Sequence, residues 1–331
     1  MTKSKVFLCL ALSFIGGVFL RSFLSWDLFF TYLLLIISFM TLSVFWQNKK
    51  SRMAGFCVLF LAFGLWLTDQ RLEKLNNLNL DGQNYSGTAL IIKEPVPKDG
   101  YRQIIVKSEE GNKFLVNTVS FTEYQYGDKI KLTCNPEIPQ KKEDFDYPMY
   151  LAKDGIYYLC KNADLLILSR NQGNLFYSLI LKIKNKLLGN INQLIPAPES
   201  GLLIGLLIGG DSQLSKDLQN NFSKTGMTHI VAVSGYNVTI IAEYLLLFGI
   251  FIGLWRKQAL WLALLGIFLF VVMVGMPSSA VRAGIMGSLL IWAMKNGRLA
   301  NSTNAIVFAA AVMLLINPLL LRYDIGFQLS F

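Results

Sequence analysis

The sequence has little of what metal sites and nucleophilic enzymes require. Its 331 residues include a single histidine, His229, and four cysteines without a CxxC pair. A structural zinc site takes four Cys or His ligands at short spacings, so this inventory excludes a conventional one. Ser234 lies in the string AVSGY rather than in a GxSxG elbow. We therefore expect no metal, no cofactor and no enzymatic activity.

The few cysteines are divided between two environments. Cys9 and Cys57 lie in apolar segments, whereas Cys134 and Cys160 lie in the one long polar block. The second pair can form a disulfide if the block is outside the cytoplasm. Two free buried thiols are an equally good interpretation, because cysteine packs as a small hydrophobic residue.

Charged residues are also scarce, at 16%, while hydrophobic residues make up 53% and the mean hydropathy is +0.44. This is more apolar surface than one soluble core uses, so the sequence predicts a polytopic membrane protein. The first apolar segment follows Lys3 and Lys5 as in a signal peptide, but no cleavage site follows, and we interpret it as a retained helix. The predicted spans are Val6–Leu20, Leu28–Trp46, Met53–Thr68, Ile230–Leu254, Ala259–Val274, Ala280–Met294 and Thr303–Leu321.

The distribution of charge predicts the orientation. Residues 81–168 hold 11 Lys and Arg against 13 Asp and Glu, a net of −2, so the other 20 basic and 8 acidic residues carry +12. Basic residues crowd the loop at residues 49–52 and those after the fourth and sixth spans. The positive-inside rule then places the N-terminus in the cytoplasm and the polar block outside, in a multi-pass protein of the cytoplasmic membrane.

Residues 76–170 read as a small β domain. Short alternating runs such as TALIIKE, RQIIVKSE and DKIKLTC are separated by turn signals. About five strands with this pattern predict an OB-like barrel, and Phe145–Cys160 adds a helical turn and a last strand. OB-folds often bind single strands, and aromatics are present, but the negative balance favours a structural or docking role. The aromatics considered are Tyr101, Phe114, Phe121, Tyr124 and Tyr126.

The segment 171–198 has helical periodicity, with lysines between its apolar residues, and predicts an amphipathic helix in the membrane interface. The apolar run Gly201–Gly210 is too short to span, so it is re-entrant or buried in protein, and a polar helix follows it.

The stretch GMTHIVAVSGYNV, residues 226–238, places polar groups in an otherwise apolar segment. On a helix beginning near Thr228, Ser234 and Asn237 share one face. An intramembrane polar cluster is by default a functional-site hypothesis.

Two ionisable groups accompany this stretch, Arg282 in PSSAVRAG and Asp324 in DIGFQLSF. Arg282 either contacts a substrate or forms a structural pair with Asp324 or Glu243.

These strings resemble the ComEC family of bacterial competence proteins. The resemblance rests on GLLIGGD (205–211), FSKTGMTHIVAVSGYNV, PSSAVRAG (277–284) and DIGFQLSF (324–331), with FDYPMYLAKDGI (145–156) similar to the family's N-terminal region. Asn237 stands where the family usually has a second histidine. The resemblance ends at QLSF, so we expect the C-terminal spans and the metallo-β-lactamase-like domain of many members to be missing. No HxHxDH ligand set is present.

The resemblance implies a membrane channel component that imports single-stranded DNA during natural transformation. It implies that Thr228, His229, Ser234, Asn237, Arg282 and Asp324 line or support the DNA path. The implied partners are single-stranded DNA, the lipid bilayer, other competence proteins and a possible second copy of the chain. The alternatives are a membrane-embedded serine hydrolase using Ser234 and His229, or a structural scaffold whose barrel docks a partner.

The predicted fold class is therefore α+β, a polytopic α-helical membrane protein with an inserted OB-like β-barrel. Its predicted parts are N-terminal transmembrane helices (1–75), the extracytoplasmic barrel domain (76–170), the interfacial helix (171–198) and a partial competence channel domain (199–331).

Overall fold

The computed structural model describes residues 2–24, 28–76, 84–98, 100–119, 122–141, 145–161, 163–209, 214–228, 233–297 and 301–331. The helices there are α1 Lys3–Phe23, α2 Leu28–Val44, α3 Lys49–Asn76, α4 Tyr147–Ala152, α5 Leu175–Leu194, α6 Glu199–Ile208, α7 Lys216–Lys224, α8 Gly235–Phe251, α9 Arg256–Met273, α10 Ser278–Lys295, α11 Ser302–Ile316, α12 Leu320–Tyr323 and α13 Ile325–Ser330. The strands are β1 Tyr85–Ile91, β2 Val96–Lys98, β3 Tyr101–Ser108, β4 Lys113–Thr118, β5 Lys129–Cys134, β6 Pro136–Glu137, β7 Tyr158–Lys161 and β8 Asp164–Ser169. The chain forms two compact units, one of Met1–Leu78 with Ser288–Phe331 and one of Asn79–Gly287.

In the first unit, α1 and α3 pack through glycines. A Cβ on Gly17 would meet the backbone of Leu61, and a Cβ on Gly64 would meet the backbone of Phe14. Close backbone approach at small residues is typical of helix packing in membranes. Near one end of this contact, Arg21 Nε donates to Asp69 Oδ1 at 2.7 Å. Asp69 is only 6% exposed.

The second unit contains one eight-stranded mixed sheet in the order β6-β7-β4-β3-β1-β5-β8, with β2 pairing β3. Most neighbours are antiparallel, whereas β4 and β7 are parallel. No pairing joins β6 to β8 among the described residues, so the sheet there is a half-barrel. The residues of its core face are fully buried and alternate along their strands: Ile91, Ile104, Val106, Phe114, Val116, Ile130 and Leu132.

The strand count differs from the prediction. The predicted runs form β1, β3, β4 and β5, but the sheet has eight strands, and β8 follows the strand that was expected to be last. Residues 165–168 are four consecutive apolar residues, so they lack the alternation that indicates a strand. Cys134 and Cys160 are joined by a disulfide, with 5.8 Å between their Cα atoms.

Three helices in the described residues are long and apolar enough to cross a membrane: Lys3–Phe23, Lys49–Glu73 and Arg256–Met273. Shorter apolar helices cover Phe29–Val44, Glu199–Ile208, Gly235–Phe251 and Ser302–Ile316. The predicted apolar segments thus form helices, although several are shorter than a full span. The short helix predicted as re-entrant or buried is α6, which has ten residues.

Candidate functional site: a cluster of helix ends

The polar stretch lies at a helix start rather than inside a helix. The prediction of one continuous helix from Thr228 is wrong, because Ser234 is the extended N-cap residue of α8, with φ −102° and ψ 166°. Serine is a favoured N-cap residue because its hydroxyl can serve the unpaired amides of the first turn. No side-chain cap hydrogen bond is formed here, and the hydroxyl has another partner.

That partner is Asn237, at the third position of α8. Ser234 Oγ lies 3.4 Å from Asn237 Oδ1, and Asn237 Nδ2 donates to the carbonyl oxygen of Leu206 at 2.9 Å. Leu206 lies in the last turn of α6, where carbonyls lack helical partners. Asn237 therefore ties the start of α8 to the end of α6.

A second hydrogen bond brings in α10. Ser279 Oγ donates to the carbonyl oxygen of Val233 at 2.7 Å. The two helices also approach closely, because a Cβ on Gly235 would lie 3.5 Å from the Cβ of Ala283. We call Leu206, Val233, Ser234, Asn237 and Ser279 the helix-end cluster.

Gly209 allows close contact between the end of α6 and the rest of the cluster. Gly209 follows α6 with φ 81° and ψ 164°, a conformation that only glycine adopts readily. A Cβ at this position would collide with the side chain of Val233, which is 5% exposed. Gly209 thus allows the end of α6 to lie against the residue that precedes the α8 cap.

The cluster combines the C-terminal end of α6 with the N-terminal ends of α8 and α10. A helix N-terminus carries partial positive charge and unpaired amides, which favours anionic groups. Arg282 is half-buried in the second turn of α10, next in sequence to Ala283. The second unit therefore places two helix N-termini at the cluster, whose five residues include no acidic side chain, and Arg282 follows Ser279 by three residues on α10.

The other predicted site residues have different positions. Thr228 is exposed, and His229 lies outside the described residues. Asp324 is 8% exposed and precedes α13 in the first unit, while Glu243 is exposed on α8. The structure thus brings Ser234 and Asn237 together, and the pairing of Arg282 remains a prediction.

Two contributors were not singled out from the sequence. Ser279 belongs to the string PSSAVRAG, where a serine after Pro277 and before an apolar run signals a helix start. The Leu206 carbonyl has no sequence signal, because every residue carries such an acceptor.

Helix α5 connects the β domain to this part of the unit. Lys184 pairs with Glu94 at 2.6 Å, and the rings of Tyr177 and Tyr126 pack edge to face at 4.7 Å. Burial, followed by the charge of Glu94, raises the pKa of Tyr177. Helix α5 also contacts α6 and α9, so the sheet is linked to the helix that ends at the cluster.

The described residues contain no group of three or more His, Cys, Asp or Glu side chains that could hold a metal ion. The Ser234 hydroxyl contacts an amide oxygen, which is not a general base.

Comparison with known proteins agrees with this description. Residues 206–331 match the family model described as Competence protein. The chain is 30% identical over 193 residues to ComE operon protein 3 of Bacillus subtilis (strain 168), an alignment that covers 56% of this chain and 24% of that protein. The chain therefore spans about a quarter of that relative's length, and no solved structure matches it significantly. The matched region begins at Leu206 and includes the whole helix-end cluster, and both comparisons support the resemblance of this chain to the ComEC family of competence proteins.

Proposed function

We propose that this chain is a membrane component of the route by which single-stranded DNA crosses the cytoplasmic membrane during natural transformation. The observation that carries the proposal is the helix-end cluster, in which Asn237 and Ser279 hold three helix ends together within the matched competence region. Broken helices that expose their ends at membrane depth are characteristic of substrate sites in membrane transporters.

The electrostatics of the cluster suit a polyanion. Phosphate groups leaving water need donors and positive charge along their path. The N-terminal ends of α8 and α10 carry the partial positive charge of helix N-termini, and Arg282 supplies a full charge on the same helix as Ser279. By family analogy, we propose that Thr228, His229 and Asp324 also line or support the path. Its substrate is the incoming DNA strand.

The proposed topology has the N-terminus in the cytoplasm and the β domain outside. The disulfide between Cys134 and Cys160 supports this orientation, because disulfides persist mainly in oxidising compartments. The open mixed sheet of the β domain supports an OB-like assignment, since OB-folds are partly open barrels.

Helix α5 is proposed to lie in the outer membrane interface. It leaves a stripe of apolar side chains exposed while Ile180 and Leu181 are buried against the protein. Lysines at the edge of such a stripe reach the lipid headgroups. The exposed residues of the stripe are Leu175, Phe176, Leu179, Ile183, Leu187 and Leu194.

The direct test is uptake of labelled transforming DNA into a DNase-protected state. Cells without the gene are complemented with wild type, Arg282→Ala or Arg170→Ala. We expect deletion to abolish protected uptake and Arg282→Ala to fail to restore it. Arg170 is an exposed arginine after β8 and serves as the matched control, so Arg170→Ala should restore uptake.

Unchanged uptake on deletion would refute the proposal. Loss of uptake with Ser234→Ala, together with normal uptake with Arg282→Ala, would instead favour a hydrolase that uses the Ser234 hydroxyl.

A further inference from the structure

Helices α1, α3 and α11 of the first unit run parallel to one another. Near the starts of α11 and α1, Asn304 Nδ2 donates to Ser4 Oγ at 2.6 Å. Towards the ends of α1 and α3, Arg21 Nε donates to Asp69 Oδ1 at 2.7 Å. The C-terminal ends of the three helices therefore lie together at one end of the unit.

Three arginines occupy this end. Arg71 Nη2 donates to the carbonyl oxygen of Ile316, the last residue of α11, at 3.3 Å. Arg322 Nη1 donates to the carbonyl oxygen of Ser22 in the last turn of α1. Such carbonyls lack helical partners, and arginines near helix ends commonly bind them. Arg21, the third, is already engaged by its carboxylate partner.

The Arg322 guanidinium is held against two aromatic rings. Its Cζ atom lies 5.2 Å from the centroid of the Phe23 ring and 5.4 Å from that of Tyr323. These contacts orient the guanidinium through its face and leave its N–H groups free to bind other partners. A guanidinium has five donors, so Arg71 and Arg322 keep donors beyond the hydrogen bonds described above. Both side chains are exposed, so these donors can reach an external anion.

The acidic groups at this end do not face the two exposed arginines. Asp69 pairs with Arg21, and Asp324 is buried. Glu73 lies two positions after Arg71 on α3, and side chains two positions apart on a helix do not face each other. Arg71 and Arg322 therefore present positive charge at the surface.

The three arginines lie at the level expected for lipid headgroups. Arg21 and Arg322 directly follow the first and the seventh predicted span, and Arg71 comes three residues after the third. In the proposed topology these odd-numbered spans run in the same direction, as the parallel packing requires, and end at the outer surface. The positive-inside rule does not favour basic residues there, so topology alone does not account for them.

An exposed apolar stripe on α1 leads away from Arg322. Leu12, Phe19 and Phe23 share one face of the helix, and the rings of Phe19 and Phe23 lie 4.7 Å apart. Gly16 lies on the same face, and a Cβ there would meet no atom within 4 Å, so the stripe has a shallow depression. From Leu12 to Phe23 the helix rises about 16 Å. This length matches the roughly 15 Å of hydrocarbon in one leaflet.

We propose that Arg71 and Arg322 bind the phosphate of an anionic phospholipid, one acyl chain of which lies along the α1 stripe. The planar guanidinium matches the geometry of a phosphate group. A soluble phosphate or a nucleic acid would use the arginines alone, whereas a phospholipid uses both the charge and the stripe that begins beside it. The inference goes beyond the proposed function and does not depend on DNA uptake.

The test is photo-cross-linking of the purified full chain in detergent to phosphatidylglycerol that carries a diazirine in one acyl chain. Mass spectrometry should locate the label in residues 12–23. Each basic side chain at a membrane surface strengthens the binding of anionic lipid roughly fivefold. Arg71→Gln/Arg322→Gln should therefore require roughly 30-fold more lipid for half-maximal labelling of these residues. The control Lys131→Gln/Arg170→Gln removes the same charge from exposed positions in the second unit and should be labelled as wild type is.

The stripe is tested separately at Gly16. Gly16→Leu fills the depression, keeps every charge and has open space for its side chain, so it should fold and show weaker labelling of residues 12–23. Far-UV circular dichroism and gel filtration verify that each variant is folded.

Competition identifies the source of the phosphate. Unlabelled phosphatidylglycerol should displace the probe, whereas glycerol phosphate and a thymidine oligonucleotide at the same phosphate concentration should not. Displacement by the oligonucleotide would overturn the lipid site in favour of a nucleic-acid contact. Equal displacement by phosphatidylcholine, or equal labelling of wild type and the Arg71/Arg322 variant, would show that the arginines do not select the lipid. DNA uptake that is unchanged on deletion of the gene would refute the proposed function and leave this site standing.

Discussion

Replacement of Asn237 by leucine tests whether the helix-end cluster holds its helices together. The substitution keeps the approximate size of the side chain and removes the 2.9 Å hydrogen bond to the Leu206 carbonyl and the 3.4 Å contact with Ser234. A net hydrogen bond contributes about 0.5–1.5 kcal/mol, and an interhelical one in a membrane protein reaches about 1.7 kcal/mol. The 3.4 Å contact is long and adds little. We therefore expect Asn237→Leu to reduce the stability of the contact between α6 and α8 by about 1–2 kcal/mol.

This loss should appear locally, as easier opening of the contact between α6 and α8. A change of about 1–2 kcal/mol corresponds to roughly 5- to 30-fold in an opening equilibrium. Hydrogen exchange measured by mass spectrometry should therefore accelerate by that factor in peptides covering residues 201–209 and 235–245. Both helices should respond together, because one side chain connects them.

Thr239→Val is the matched control. Thr239 is exposed, and its hydroxyl donates within α8 to the Gly235 carbonyl at 3.0 Å, so its loss should leave exchange in residues 201–209 unchanged. If Asn237→Leu also leaves that exchange unchanged, the side chain does not connect the two helices, and the cluster as described is wrong.

Three further variants and one chemical reduction test other parts of the structure. Replacing Cys134 and Cys160 by alanine removes a disulfide between residues that are 26 positions apart. The chain-entropy model gives such a link a stabilisation of about 3.5 kcal/mol. The β domain of this variant should therefore unfold at a lower temperature and be cleaved faster by trypsin. Reduction of the wild type by dithiothreitol should give the same change, and an unchanged melting temperature would contradict the observed pairing. Gly209→Ala should lower the free energy of unfolding by about 1–3 kcal/mol, because alanine does not readily adopt the backbone conformation of Gly209. The yield of folded protein should therefore fall, and a wild-type yield would contradict the geometry after α6. Asp69→Asn should lower the free energy of unfolding by at most about 3–5 kcal/mol, because it leaves the partly buried charge of Arg21 without its carboxylate partner. Unchanged thermal unfolding would show that the ion pair does not contribute to stability.

The sequence predicted those elements whose pattern is local. Strands β1, β3, β4 and β5 alternate and end at turns, so period-two patterning identifies them. Helix α5 repeats its apolar residues at helical spacing, and the Asn174 side chain accepts from the amides of Phe176 and Tyr177 at its start. Local propensity and burial agree in these segments, and the prediction was confirmed.

The start of α8 could not be predicted in the same way. Residues 230–254 are almost continuously apolar, so hydrophobicity alone does not show that the helix begins at Gly235. The contact between Asn237 and Leu206 joins positions 31 residues apart and uses a backbone acceptor. Such a contact depends on how the tertiary fold brings the end of α6 to the start of α8, which no spacing rule contains. The sequence identified Ser234 and Asn237 but neither Ser279 nor the backbone carbonyls of Leu206 and Val233.

The structure provides a physical connection between the β domain and the helix-end cluster. Glu94, which follows β1, forms the ion pair with Lys184 of α5 at 2.6 Å. Helix α5 packs on α6, whose last turn carries the carbonyl oxygen bound by Asn237. We expect this series of contacts to stabilise α6, so Glu94→Gln should accelerate hydrogen exchange in peptides covering residues 201–209. Lys131→Gln, at an exposed position on β5, should leave that exchange unchanged. Equal exchange in Glu94→Gln and the wild type would show that the ion pair does not stabilise α6.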